Sequence, residues 1–359
     1  MKKLTVLSYH PNRCSGFGGI ENLVRSIKRS AEQRNLTFYE LYNRDPPVEE
    51  IQVLRSTFDI KKKLIFNTKF LGMLNKAFTF FKEAKRGDYN VVITYHPANL
   101  LFFLLTKHKP KIILVQSNSV EKLFQGRLLS ALAQRVLNKV DALTLYTSFD
   151  KQALCRRFQM NEDKMVIIPR ACKLPSAEPR KNKNNKLVTI CRIAEKQKNF
   201  AAMVDIMTKL PEMTLDIYGA GSAEEVSELK RKISTCENIR FMGKTNDVAA
   251  TLCAYSVFIM TSYYEGYGQS LIEARSQGLP IVLFNTFDAA QSVVVDGKNG
   301  FLIKSFEKEA FKDGIRRILK SDSEYQRMSR ESIAMSAATD SLSIQGKWLS
   351  LFNSLIKEQ

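Results

Sequence analysis

Short apolar runs separated by longer amphipathic stretches recur along this chain, and their order predicts its architecture. In the first half, runs at 4–9, 91–95, 112–115, 142–145 and 166–168 read as buried parallel strands. Amphipathic stretches at 20–33 and 128–138 read as the helices between them. After residue 186 the alternation restarts, with strands at 186–190, 214–218, 239–242, 257–260 and 281–284. Helices are expected at 200–209, 223–233, 247–254 and from about 269 to the stop signal Gly278-Leu279-Pro280. This is the α/β pattern of two doubly wound, Rossmann-like parallel sheets. The stretch between them is rich in Pro, Lys and Asn and lacks periodicity. The expected division is therefore a domain over 1–170, a linker over 171–186 and a second domain over 187–335. The tail, 336–359, carries Trp348, Leu349, Phe352 and Leu355 at helical spacing. It reads as a packed helix that could return to the first domain.

One stretch breaks the pattern. Between Lys61 and Arg86 eight basic residues meet a single acid, Glu83, and Phe66, Phe70, Phe78, Phe80 and Phe81 are interleaved with leucines. Lysines opposite Phe and Leu suit an interfacial membrane helix, with Lys61, Lys62, Lys63 and Lys69 as lipid-facing candidates. The competing reading is a surface helix whose phenylalanines enter the core.

Composition changes this picture in two places. The 359 residues are enough for about two domains, and 44% hydrophobic with 25% charged residues is an ordinary globular balance. The six cysteines show no CxxC pairing and read as reduced thiols, without a disulfide or metal framework. The run 4–7 after Met1-Lys2-Lys3 is too short for a signal peptide, and 100–105 is far below a membrane span. A cytoplasmic protein is the expectation. Net charge is the unusual quantity, at +19. Residues 1–180 hold 31 Lys and Arg against 15 Asp and Glu, and the remainder 24 against 21. A basic first half implies an anionic partner: a phospholipid surface, a lipid-linked phosphate or nucleic acid. No nucleic-acid recognition motif supports the last.

The candidate chemistry lies in loops that should end strands on one edge of the second sheet, where doubly wound folds bind ligands. They are Cys191 to Asn199, with Arg192, Lys196 and Lys198; Gly219-Ala220-Gly221; Phe241 to Lys244, with Met242; and Glu265-Gly266-Tyr267-Gly268-Gln269-Ser270 continuing to Glu273. Cations and glycine amides can hold a diphosphate, and the two carboxylates can take sugar hydroxyls. The set suits a nucleotide diphosphate joined to a sugar. In the first half, Gly16, Gly18 and Gly19 form a strand-to-helix loop that reads either as a tight turn or as a phosphate or sugar cradle.

On these residues the second half resembles the group 1 glycosyltransferases, the retaining family 4 enzymes of GT-B fold. The resemblance rests on Glu265-x7-Glu273 within EGYGQSLIEARSQGLPIV and on Asp296-Gly297-Lys298-Asn299-Gly300-Phe301. Arg192 with Lys198-Asn199-Phe200, Gly219-Ala220-Gly221 and Gly18-Gly19-Ile20-Glu21 support it. It implies two Rossmann-like domains facing across a cleft, with the acceptor bound by the first. Arg192 and Lys198 would bind the donor diphosphate and Glu273 the ribose. Glu265 and the amides of Gly266 to Gln269 would hold the transferred sugar, and Gly19 would approach a donor phosphate. It further implies transfer of a hexose-type sugar, UDP-linked by preference, without a metal or other cofactor. The acceptor would be a glycan or polyprenyl-diphosphate-linked glycan at the inner face of a bacterial cell membrane, as in O-antigen, capsule or lipopolysaccharide assembly.

Three departures stand out. The Arg-to-Lys spacing is one residue long, so Lys196 and Lys198 compete for the phosphate role. Where many relatives carry a His after the fourth strand, this chain has Gln116-Ser117-Asn118, in which Gln116 or Asn118 could bond a sugar; His96 follows an earlier strand. Arg170 stands where relatives often have Asn. A non-catalytic binding partner of the same fold in a glycan-assembly complex is the rival reading, and another enzyme of this architecture, such as an epimerase, is a third.

Overall fold

The computed structural model describes residues 4–15, 19–44, 59–61, 69–105 and 110–357. Two compact units emerge, one of Met1–Ala171 with Leu342–Gln359 and the other of Cys172–Ser341.

In the first unit seven strands form one sheet: β1 (Thr5–Tyr9), β2 (Thr37–Tyr42), β3 (Asp59–Lys61), β4 (Val91–Thr94), β5 (Lys111–Val115), β6 (Ala142–Leu145) and β7 (Met165–Ile167). Their order is β3-β2-β1-β4-β5-β6-β7, and every pairing is parallel. All four positions of β4 and of β6 are buried, which is why both appear in the sequence as unbroken apolar runs. β2 has no such run. Its Glu40 is buried and accepts a bond from the Cys14 backbone N–H, so a core strand carries a carboxylate at its centre. β3 is three residues at the sheet edge and ends on Lys61, the first residue of the basic stretch.

The helix α1 (Gly19–Gln33) follows β1 and buries Leu23, Val24, Ile27 and Ala31 at helical spacing. The helix α2 (Lys69–Arg86) turns part of its aromatic face into the core. Phe80 is fully buried, stacks on Tyr9 with ring centroids 5.3 Å apart, and meets Phe103 at 5.6 Å. Phe81 packs edge-on to Phe103 at 5.1 Å. These rings were drawn into the core by a 3-10 helix, Pro97–Leu105, whose apolar residues give them a protein surface to cover. Phe78 alone of the three is exposed. Lys62, Lys63 and Phe66 lie outside the described residues, as do the side chains of Lys61, Lys69 and Phe70.

The second unit holds β8 (Lys186–Ile190), β9 (Thr214–Tyr218), β10 (Ile239–Gly243), β11 (Val257–Met260), β12 (Ile281–Phe284) and β13 (Gly300–Ile303). Their order is β10-β9-β8-β11-β12-β13, again all parallel. β11 and β12 are buried at all four positions. The core between sheet and helices is built from residues such as Leu187, Met203, Leu215, Ile259, Phe284 and Phe311.

The segment before β8 has no regular secondary structure from residue 173 to 185, and its polar groups bond within the second unit. The Ala177 N–H donates to Ser276 O at 2.8 Å, and Arg180 donates to the carbonyls of Gln277 and Cys253, each at 2.8 Å. The terminal helix Ser341–Lys357 buries Ile344, Trp348, Leu351, Phe352 and Leu355; Gln345 accepts from Gln33 at 3.0 Å within the first unit.

Candidate functional site

The strand order reverses about β8 and β11 in the second sheet, so the loops leaving these two neighbours flank its switch point. The first runs through a one-turn helix, Glu195–Lys198, that stops at Asn199 in the left-handed conformation, φ 55°. Asn199 then starts the helix Phe200–Met207, its side-chain oxygen accepting from the Ala202 N–H at 3.3 Å. Asn tolerates both duties, which explains the abrupt turn after Lys198. The second loop leaves β11 through Thr261 and Ser262. Thr261 donates its hydroxyl to the carbonyls of Lys198 and Asn199 at 3.0 and 3.1 Å. The Tyr263 N–H donates to Gln197 O at 2.8 Å. The two loops are therefore bonded into one piece.

Within that piece Glu265 is buried and accepts from Ser262 Oγ at 2.9 Å and from Gln197 Nε2 at 3.4 Å. Its main partner is the Lys198 ammonium, also buried, which bonds it directly. Arg192 is exposed and donates to Gln197 Oε1 at 2.9 Å, so Gln197 links guanidinium to carboxylate. Of the two competing lysines, Lys198 points into this cluster and Lys196 is exposed outside it. Cys191 beside them is a thiol whose pKa burial pushes up to about 11; Lys198 opposes that rise and Glu265 adds to it. It is held protonated near neutral pH, away from nucleophilic chemistry.

The loop then turns into the helix Gln269–Ser276 at Gly268, φ 85°, where a Cβ would fall 2.5 Å from Leu271 Cδ1. The start of a helix has positive potential and can meet an anion. Glu273 sits one turn in, half-buried, and accepts from Gln269 Nε2 at 3.3 Å. Tyr267 buries its ring, and Gly266 is half-buried in the loop. On the neighbouring strands, the Gly219 N–H donates to Gly243 O at 2.8 Å, and Met242 is exposed at the end of β10. Gly219 has a requirement of its own: φ is +152°, and a Cβ there would lie 1.7 Å from the Cys191 carbonyl oxygen. Gly221 is similar, 2.4 Å from Ile193 O. These two glycines let the β9 loop close against the β8 loop, a packing demand that a phosphate-cradle reading does not require.

In the first unit Gly19 opens α1, beside Arg170. His96 is exposed, its Nδ1 accepts from the Ala98 N–H at 3.2 Å, and its pKa is lowered by surrounding protein bulk and then by Lys76. Gln116 is turned inward. It is fully buried and spends its amide internally: Nε2 donates to Asn118 O at 3.0 Å and Asp150 Oδ1 at 2.7 Å, while Oε1 accepts from the Tyr146 N–H at 2.8 Å. It fastens β5 to the segment after β6, with both amide protons and one lone pair of the amide oxygen engaged. Asn118 is half-buried, with Oδ1 accepting from the Ser119 N–H at 2.9 Å.

Sequence reasoning passed over Gln197 and Ser262. A Gln between two lysines carries little signal, and Ser262 becomes legible only once Glu265 is known to be buried three residues later. Among the described residues no group of three or more His, Cys, Asp or Glu side chains is placed to share a metal ion. A depression of about 450 Å³ lies elsewhere, in the first unit against Asn138, Cys155 and Phe158, and holds none of the candidate residues.

Residues 173–335 match the family model for glycosyl transferases group 1, and residues 17–174 that for glycosyltransferase family 4. Among curated proteins, the chain is 34% identical over 181 residues to the UDP-N-acetylglucosamine–peptide N-acetylglucosaminyltransferase GtfA subunit of Streptococcus gordonii, covering 46% of this chain and 34% of that protein. It is 26% identical over 230 residues to a poly(ribitol-phosphate) alpha-N-acetylglucosaminyltransferase of Staphylococcus aureus, covering 60% of this chain and 45% of that one. The chain thus spans less than half the length of either relative. Among solved structures, Anabaena HepE in complex with UDP and glucose superposes with a TM-score of 0.78 at 14% identity, over 98% of this chain and all of that one. That likeness shows a shared α/β fold, the GT-B fold. With its two halves matched in turn by the two family models, and its Glu265-x7-Glu273 loop standing at the switch point of the second sheet, the chain belongs to the group 1, family 4 glycosyltransferases.

Proposed function

We propose that this chain is a retaining glycosyltransferase that moves a hexose-type sugar from a UDP-sugar to a glycan or lipid-linked glycan acceptor without a metal ion. The observation that carries the reading is the bonded cluster Arg192–Gln197–Glu265–Lys198 at the switch point of the second sheet. Two cations, the start of the helix Gln269–Ser276 and the carboxylates of Glu265 and Glu273 all belong to the segments that follow β8 and β11. A diphosphate fits the cations and the helix start, and sugar hydroxyls fit the carboxylates.

Chemically, transfer breaks the bond between the anomeric carbon and the donor's phosphate oxygen while the acceptor oxygen bonds the same carbon from the same face. The electron pair of the broken bond stays with the diphosphate, and the acceptor's proton passes to that leaving oxygen. Negative charge therefore grows on the diphosphate. Arg192 and Lys198 meet it as fixed cations, the role a metal has elsewhere. Glu265, held by Ser262 and Gln197 as well as by Lys198, keeps a defined place when Lys198 turns towards phosphate. Glu273 takes the ribose. UDP as carrier is favoured by the UDP-bound HepE structure and by the UDP-sugar named for the GtfA subunit.

The acceptor side is read from the first unit. It carries 31 basic against 15 acidic residues, so an anionic acceptor or leaflet is attracted to it. Phe78, Lys82 and Lys85 are exposed at helical spacing on one face of α2, and Leu105 is exposed nearby on the 3-10 helix, where Phe78 meets Phe102. Apolar tips beside lysines suit attachment to the headgroup region of an anionic membrane. No described helix is long and apolar enough to cross a membrane. Surface-polysaccharide assembly is the corresponding setting, in line with the polyol-phosphate glycan named for the Staphylococcus relative.

The test is a screen of UDP- and GDP-sugars with EDTA present, reading released nucleoside diphosphate and the anomeric configuration of the product by NMR. Turnover of a UDP-sugar to a product of unchanged configuration is expected. Nucleotide binding without turnover of any sugar, with lipid-linked and free glycan acceptors supplied, would favour a binding partner instead.

A further inference from the structure

The helix Gln269–Ser276, which carries Glu273, also carries a buried cation that the proposed reaction does not use. Arg275 is 1% exposed. It lies two residues on from Glu273, about 200° further round the helix, so the two side chains leave roughly opposite faces. Its guanidinium is held by two other segments. Nη1 donates to the carbonyls of Ser292 and Val293, at 3.2 and 3.4 Å, in the one-turn helix Ala290–Val293 that follows β12. Nη2 donates to Thr339 Oγ1 at 2.9 Å. Nε has no hydrogen-bond partner among the described residues. Burial lowers the pKa of the group, while Tyr267 in the Glu265 loop and Cys172, both near enough to act on its charge, oppose the shift.

The surroundings of Thr339 give these bonds a further meaning. The Cys172 N–H donates to Thr339 O at 2.8 Å, and Cys172 Sγ donates to Ser276 Oγ at 3.4 Å. The chain enters the second unit at Cys172 and leaves it after Ser341. Entry, exit and the helix of Glu273 are thus bonded together, with Arg275 at the joint. A guanidinium removed from water is costly, and an apolar side chain of similar volume often serves stability as well or better. Hydrogen bonds add direction: they hold one roll and one axial position of the helix, which apolar contact alone leaves free to slide. Ser276 Oγ donates to Glu273 O at 2.8 Å, so the turn that holds Arg275 is also fastened to Glu273.

We propose that Arg275 is a positioning residue for the nucleotide-sugar: by tying the last turn of its helix to Ser292, Val293 and Thr339, it fixes where the Glu273 carboxylate meets the ribose. The inference rests on the donor reading given above and deepens it. Arg275 touches no substrate and acts only through Glu273.

Two variants and two kinds of readout test it on the full chain. Arg275→Met keeps the bulk and removes the cation; Thr339→Val keeps the shape and removes one partner, and carries the test if the first fails to fold. Both should melt within a few degrees of wild type. Without ligand, hydrogen–deuterium exchange over residues 269–276 should quicken about fivefold in Arg275→Met and less in Thr339→Val, with β11 and β12 unchanged. UDP titrated by calorimetry should bind about fivefold more weakly to Arg275→Met, and that loss should vanish when the substitution is made in Glu273→Ala. In turnover the loss should fall on KM for the UDP-sugar, with kcat within about twofold of wild type. A residue that merely stabilises the unit would lower Tm and weaken UDP equally in both backgrounds, and that result overturns the proposal. Unchanged exchange in both variants overturns the tie itself, whatever UDP does. A wild type that binds no UDP overturns the donor reading, and the ribose contact with it, while quickened exchange would still support the tie.

Discussion

Lys198 and Glu265 are the residues whose behaviour says most about the site. Each is nearly excluded from water and each is the other's counter-ion, so loss of one strands the other. Lys198→Met or Glu265→Gln should each lower unfolding free energy by about 3 kcal/mol, and the double variant by clearly less than the sum. Urea unfolding of the four proteins checks this, and additive losses would show that the pair is uncoupled. His10 gives a pH prediction. Burial lowers its pKa, more than the Asn12 carbonyl and Glu21 raise it. An unfolded chain therefore binds this proton first as pH falls. His10 contributes stability fully present above about pH 6.5 and lost as pH drops through its folded pKa. Melting temperature should fall between pH 7.5 and 5, and His10→Asn should flatten part of that slope, with His96→Asn, shifted in the same direction, as the companion variant. A slope identical in all three proteins would remove the histidines from the account. At this scale Glu265 and Glu273 stand out in the sequence because of their Glu-x7-Glu spacing. Gln197 does not, since its meaning comes from a partner 68 residues away.

Among the elements, those that bury every position were readable to within a residue or so. Ala142–Leu145, Val257–Met260 and Ile281–Phe284 stand where the apolar runs place them. β2 escaped because Glu40 breaks its run, and β13 because four residues beginning with Gly300 carry too little pattern. α2 shows a different limit: periodicity identified an aromatic face but could not say whether protein or lipid covers it, and the 3-10 helix Pro97–Leu105 supplies the cover. The loops at the switch point depend on close backbone approach, which gives a contrast to measure. Gly219→Ala would place its Cβ on the Cys191 carbonyl at positive φ, whereas at Gly243, φ +74°, no atom lies within 4 Å. Gly243→Ala should cost about 1 kcal/mol for backbone conformation alone. Gly219→Ala should cost more than twice that, as the shift in urea midpoint reports. Equal costs would contradict the packing role given to Gly219.

For the molecule as a whole, the division of charge matters as much as the division of fold. The second unit is near neutral and carries the Arg192–Glu265 cluster; the first is strongly basic and carries the exposed Phe78 and Leu105. Sedimentation with phosphatidylglycerol vesicles should therefore exceed that with phosphatidylcholine vesicles and fall as salt rises. Lys82→Glu with Lys85→Glu should reduce it several-fold, and equal weak binding to both vesicle types would count against attachment. None of these outcomes bears as directly on the central claim as nucleotide binding does. Calorimetric titration of UDP into the wild type, Arg192→Ala and Glu273→Ala, each confirmed folded, is that measurement. The account predicts saturable binding to the wild type, weakened at least tenfold in each variant. UDP binding of equal affinity in all three proteins would contradict it.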